Sequence, residues 1–152
     1  LKLNGEPILA EDLRQPRKWK KGDVIELDLP MKARLIEANP LVEEAKNQIA
    51  VMRGPIVYCL EGQDIEGGHR INDIAIPADI HFTEKKITIS GHDMIALEGD
   101  ALLVNNGLWT NQQLYRDLRS IEKKKVRIRL IPYYAWDNRG IDDMSLWLPL
   151  TR

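Results

Sequence analysis

In 152 residues there is one cysteine, one phenylalanine, no long apolar run and no excess of either charge. Each shortage excludes something. A single thiol, Cys59, cannot close an internal disulfide and cannot by itself build a thiolate metal cluster. No stretch approaches the roughly 20 apolar residues that cross a bilayer, and the first residues lack the basic-then-apolar pattern of a signal peptide. Lys+Arg 22 against Asp+Glu 23 leaves a net charge of -1, so no global field recruits nucleic acid or an anionic membrane. A ligand, if there is one, is expected to be neutral. The chain opens at Leu1 rather than at methionine and goes straight into alternation and an Asn4-Gly5 turn. It therefore reads as a piece of a longer polypeptide whose targeting signal would lie upstream, and cytoplasmic and periplasmic compartments both stay open.

What is present is alternation. From Ile25 to Leu35 the residues Ile25, Leu27, Leu29, Met31, Ala33 and Leu35 interleave with polar ones, the period of a half-buried strand. Pro30 falls in the polar phase and predicts an edge or a bend. Two apolar runs, Ile49 to Met52 and Ile56 to Leu60, flank Arg53-Gly54-Pro55 and predict a kinked strand pair. The polar, glycine-rich GQDIEGGHR after Glu61 reads as a linker and suggests a boundary between residues 1–62 and 63–152. Short runs follow at Ile74–Ile76, Ile80–Phe82, Ile87–Ile89, Met94–Leu97 and Ala101–Val104. Their regular spacing argues for an antiparallel sandwich or barrel. Leu114, Leu118 and Ile121 fit either one face of a short helix or an irregular loop. Val126, Ile128 and Leu130 form another strand, and Met144 to Leu148 a last one.

Glu61, Asp137, Asp142 and Asp143 are the acids that would serve a glycosidase. Such a pair needs its carboxyl groups about 5–10 Å apart across a cleft. With 30% of the chain charged, a few acids near turns is the expected background, and no catalytic residue is assigned. Cys59 lies within a strand, and His69, His81 and His92 have no metal-ligand spacing. The basic run Lys123 to Arg129 alternates, which sends Arg127 and Arg129 to the solvent face of a strand rather than into a nucleic-acid groove. The aromatics are the strongest functional candidates, because Trp and Tyr rings stack on sugar C–H groups while their polar tips hydrogen-bond hydroxyls. Trp109, Trp136, Trp147 and Tyr134 are the candidate sugar contacts. In IPYYAWDNRG (Ile131 to Gly140) a strand would send Tyr133 and Tyr134 to opposite faces, pairing Tyr134 with Trp136. Arg139 would lock the turn that Asn138 and Gly140 permit, so this stretch is read as a structural corner.

Three blocks, WKKGDVIELDLPM (Trp19 to Met31), AVMRGPIVYCLE (Ala50 to Glu61) and IPYYAWDNRG with MSLWLP (Met144 to Pro149), jointly resemble the C-terminal region of family 127 glycoside hydrolases, the bacterial β-L-arabinofuranosidases and their relatives. The resemblance implies a catalytic (α/α)6 barrel upstream, whose nucleophile is a zinc-bound cysteine and whose metal is held by three cysteines and a glutamate. Two β-sandwich domains follow it in that family. The Glu-x-Cys and Cys-Cys motifs are absent here, and Cys59-Leu60-Glu61 has the reverse order, so no catalytic, cofactor or metal role carries over. The expectation is an all-β chain: a jelly-roll-like antiparallel sandwich over residues 63–152, preceded by a partial second sandwich over 1–62. Its expected role is non-catalytic support of the barrel, its partners that barrel and a second copy of itself. The alternative is a carbohydrate-binding module.

Overall fold

The computed structural model describes residues 1–104, 112–115 and 123–151, which divide into two compact units, Leu1–Met31 and Lys32–Arg152. In the first unit β1 (Lys2–Leu3) and β2 (Glu6–Pro7) form a hairpin, and β3 (Ile25–Glu26) pairs on the other side of β1. Asn4 and Gly5 both take positive φ at the turn, as a two-residue hairpin loop requires. The Asn4 side chain also works at long range: its Oδ1 accepts from the Val24 amide at 2.8 Å and its Nδ2 donates to Asp23 at 3.1 Å. Between the strands, helix α1 (Ala10–Arg14) is capped by Asp12, which accepts from the Leu9 amide at 3.0 Å.

The alternation that predicted one strand from Ile25 to Leu35 is broken. β3 ends at Glu26, the next strand, β4, spans Ala33–Glu37, and the division between units falls at Met31. Pro30 lies in the interval, where a residue without an N–H cannot continue a ladder.

The second unit continues with β5 (Gln48–Arg53), β6 (Ile56–Ile65), β7 (Ile74–Pro77), β8 (Thr83–Ile89), β9 (His92–Leu103), β10 (Lys124–Pro132), β11 (Met144–Ser145) and β12 (Leu148–Thr151). β5 pairs with β6, β6 with β10, β10 with β9, β9 with β7, β7 with β12, and β12 returns to β5. Six strands thus close a ring, antiparallel at every join except β7–β12. Strands β4, β8 and β11 attach to its outside through β5, β9 and β6. The chain is all-β as expected, but the jelly-roll sandwich is corrected to a barrel with extra strands. The β5–β6 and β12–β5 pairings supply the closure, which strand spacing along a sequence does not encode.

Inward-facing Val51, Leu60, Ile74, Leu97, Ile128 and Leu130 fill the ring. Their neighbours Cys59 and Ile131, together with Ile89, Met94 and Ala135, make a second cluster on the opposite face of β6 and β10. Both faces are apolar there, so IVYCL and RLIP read as runs rather than as alternation. The predicted strand pair at Arg53-Gly54-Pro55 is a tight β5–β6 hairpin with Gly54 at φ 56°. Met94–Leu97 and Ala101–Val104, expected as two strands, are one: β9 runs through Gly99, over which Ile80 and Phe82 lie so closely that a Cβ would sit 3.1 Å from each. The expected linker after Glu61 is likewise a strand as far as Ile65, so position 62 falls inside β6.

Candidate functional site

A cluster of charged side chains in the second unit is built on an irregularity in β6. Leu60 pairs with Leu130 and Ile65 with Ile128, so the four residues Glu61 to Asp64 stand opposite the single residue Arg129. A bulge of this kind bends the strand and re-aims its side chains. Here it turns both Glu61 and Asp64 toward the corner that follows β10. That corner begins with a 3-10 turn, Tyr133–Ala135, and continues through Asp137 at φ 62° to Gly140 at φ 109°.

Arg139 projects from the corner onto both carboxylates. Its Nη1 donates to Asp64 Oδ1 at 3.0 Å, and its Nη2 donates to Asp64 Oδ2 and Glu61 Oε2. The two acid side chains are 2% and 3% exposed, the arginine 21%. The other Glu61 oxygen accepts from the Asp137 amide at 2.9 Å. The hydrogen bonds it donates to Asp64, and then to Glu61, hold the guanidinium protonated well beyond its ordinary range, against the opposing effect of burial. Arg139 Nε is buried and has no hydrogen-bond partner among the described residues. Asn138 closes the corner by donating from Nδ2 to the carbonyls of Ala135 and Trp136 at 3.2 and 3.1 Å.

The remaining candidate acids surround the bulge. Asp142 accepts from the Gln63 amide at 2.5 Å and from the Asp143 amide at 2.8 Å, while the Asp143 carbonyl accepts from the Gly62 amide at 3.0 Å. A polar cavity of about 480 Å³ lies here, lined by Gln63, His69, Arg70, Arg139, Asp142 and Asp143 among others. The structure therefore gathers all four predicted acids around one bulge. It adds Asp64, which the sequence reading missed because it sat in a stretch that looked like linker. Glycosidase chemistry needs one carboxyl free to protonate a leaving group and another set across a gap. Glu61 instead shares one guanidinium nitrogen with Asp64, and no substrate-sized gap separates them.

The aromatic candidates scatter. Tyr134 is 66% and Trp136 38% exposed. Trp136 does not share a face with Tyr134; it stacks on Tyr133, with ring centroids 6.3 Å apart and planes 10° from parallel. Strand alternation fails because the segment is a 3-10 turn, in which residues three apart eclipse. Trp147 is half-buried, and its carbonyl accepts from the Ser145 hydroxyl at 2.7 Å. Trp109 lies outside the described residues, as does most of the segment whose leucines suggested a helix.

Among the described residues no group of three or more His, Cys, Asp or Glu is arranged to hold a metal. The zinc of the resembling family does not fit here. Cys59 is fully buried, its thiol lies 3.7 Å from the Ile131 carbonyl, and burial together with nearby Glu61 pushes its pKa up to about 12. It stays a neutral thiol.

Residues 33–149 match the model of the glycoside hydrolase family 127 C-terminal domain. The chain belongs to this family. The family 127 domain starts within two residues of the division between the compact units. The chain is 31% identical to the non-reducing end β-L-arabinofuranosidase of Bifidobacterium longum subsp. longum, with 97% of the chain and 23% of that enzyme covered. Among solved structures it is similar to a glycoside hydrolase at 46% identity and TM-score 0.80, covering 99% of the chain and 25% of the other. It is also similar to a family 127 β-L-arabinofuranosidase from Geobacillus stearothermophilus T6 at 33% identity and TM-score 0.77, covering 99% and 24%. The chain thus spans about a quarter of the length of these relatives. Because nearly the whole chain is covered, Leu1–Met31 has a counterpart in them although the family 127 domain model excludes it.

Proposed function

We propose that this family 127 C-terminal domain is a non-catalytic accessory region of a β-L-arabinofuranosidase-like glycoside hydrolase, supporting a catalytic (α/α)6 barrel elsewhere in the protein. The observation that carries the reading is the Arg139 clamp. Glu61 and Asp64, the two acids the bulge aims at the corner, are both committed as acceptors to one guanidinium, so neither is free to serve as the proton donor or the base of a glycosidase pair. On this reading the zinc and its cysteine nucleophile belong to the barrel.

The first unit supports the same role. Val24, Ile25, Leu27 and Leu29, four apolar residues within six positions, are each between 47% and 65% exposed, and Leu9 is 61% exposed; exposed apolar residues this dense have the composition of a packing surface. The barrel domain, or a second copy of the chain, is its proposed cover. The deciding assay incubates the purified protein with p-nitrophenyl β-L-arabinofuranoside. No release of p-nitrophenol or L-arabinose is expected, and turnover that disappears with Glu61→Gln overturns the proposal.

A further inference from the structure

A second cavity, of about 260 Å³, lies between the tip of the β8–β9 hairpin and the corner after β10. Its lining combines three kinds of group. Ile89, Met94 and Ala135 are buried members of the second apolar cluster and give it an apolar floor. Tyr134, 66% exposed, contributes an aromatic wall. Ser90, His92 and Asn138 supply polar groups. The two rims are tied together, since the Ser90 hydroxyl donates to the Asn138 carbonyl at 3.1 Å. Asn138 spends its Nδ2 on the corner's own carbonyls. Its Oδ1, the His92 ring nitrogens and the Tyr134 hydroxyl have no hydrogen-bond partner among the described residues.

We propose that this cavity is a subsite for one neutral sugar ring. An aromatic face beside aliphatic groups suits the C–H face of a furanose or pyranose, and unspent donors and acceptors around it suit the hydroxyls. The volume lies just below the roughly 300 Å³ at which ligand cavities for drug-sized molecules start, so it takes one ring and not a chain. No Asp, Glu, Lys or Arg among the described residues lines it, which favours a neutral ligand over an anion. Of the aromatic residues singled out in the sequence, this assigns contact to Tyr134 and not to Trp136 or Trp147, and it adds His92 and Asn138. The class of ligand rests on the family assignment; the subsite does not rest on the absence of catalysis.

The test is amide chemical-shift mapping of the ¹⁵N-labelled protein with L-arabinose, methyl β-L-arabinofuranoside and D-glucose, each raised to on the order of 100 mM, where a millimolar site saturates. At least one sugar is expected to give saturable shifts confined to residues 89–94 and 134–138. Tyr134→Ala is expected to weaken binding at least tenfold, and His92→Ala severalfold, both with unchanged melting temperature because both side chains are exposed. Absence of saturable shifts with all three sugars overturns the subsite, as does binding that survives both substitutions. Turnover in the aryl arabinofuranoside assay overturns the accessory reading without altering these shifts, so the two proposals fail separately.

Discussion

Arg139 pairs with two carboxylates that are almost wholly removed from water. Removing one partner of a buried ion pair is costly because the other charge is left uncompensated, typically about 3–5 kcal/mol. Since Arg139 itself keeps a fifth of its side chain exposed, the low end applies. Arg139→Ala is expected to destabilise by about 3 kcal/mol, or about 6–12 °C in melting temperature at roughly 2–4 °C per kcal/mol for a domain of this size. Arg139→Lys should recover only part of this, because an ammonium cannot reproduce the fork that spans Asp64. Urea unfolding of the three proteins measures both. Glu98 gives a second test. Hydrogen bonding to Arg129, followed by the charges of Arg129 and Lys85, holds its carboxyl below the ordinary 4.5. A depressed folded pKa contributes stability above the unfolded value and loses it as pH falls through the folded one. The stability difference between the protein and Glu98→Gln should therefore be constant from neutral pH to about 5 and shrink below 4.5. A difference that grew on acidification would contradict that assignment. These pairs were partly legible: the alternation of Val126 to Leu130 put Arg127 and Arg129 outside, and they stand there with Glu98 and Asp100. The partners of Arg139 were not legible, because they lie 75 and 78 positions away.

Among the elements, the β6 bulge determines where the acids point, and Gly62 leaves room beside it for the Asp142 side chain. A Cβ at this position would lie 2.7 Å from Asp142 Oδ1. Gly62→Ala must push Asp142 off the Gln63 amide and loosen the hold of the 142–143 segment on β6. Overpacking of this kind costs typically about 1–3 kcal/mol. Adding Asp142→Ala should remove much of the steric part, so a double mutant less stable than the sum of the two singles would contradict the contact. The hairpins were the most readable elements, because their signals are local. Asn4-Gly5 and Arg53-Gly54-Pro55 each turn the chain between paired strands, with Asn4, Gly5 and Gly54 at positive φ. GQDIEGGHR misled because glycine and polar residues mark loops on average. Its first half is instead held in β6 by the pairing of Ile65 with Ile128 on β10 and by the Asp142 side chain. The separate runs Met94–Leu97 and Ala101–Val104 misled in the same direction, since the intervening Gly99 is held inside one strand by Ile80 and Phe82 lying over it.

For the molecule as a whole, both ends of the Lys32–Arg152 unit are tied to the closed ring, with β4 attached to β5 at one end and β12 between β5 and β7 at the other. A protein beginning at Lys32 is expected to unfold in one cooperative transition seen alike by circular dichroism and tryptophan fluorescence. Loss of cooperativity would mean that Leu1–Met31 is integral to the barrel. Composition, alternation and turn chemistry are short-range properties, and from them the sequence by itself determined an all-β chain, most of its strands, the outward arginines, the corner at Ile131 to Gly140, and, through three motif blocks, its family. Ring closure, the parallel β7–β12 join, the meeting of Glu61 and Asp64 on Arg139, and the grouping of Tyr134 with His92 and Asn138 were decided only by the tertiary structure. Each depends on which distant strands pair and in what register, and that is settled by the packing of a shared core rather than by any residue's neighbours in the chain.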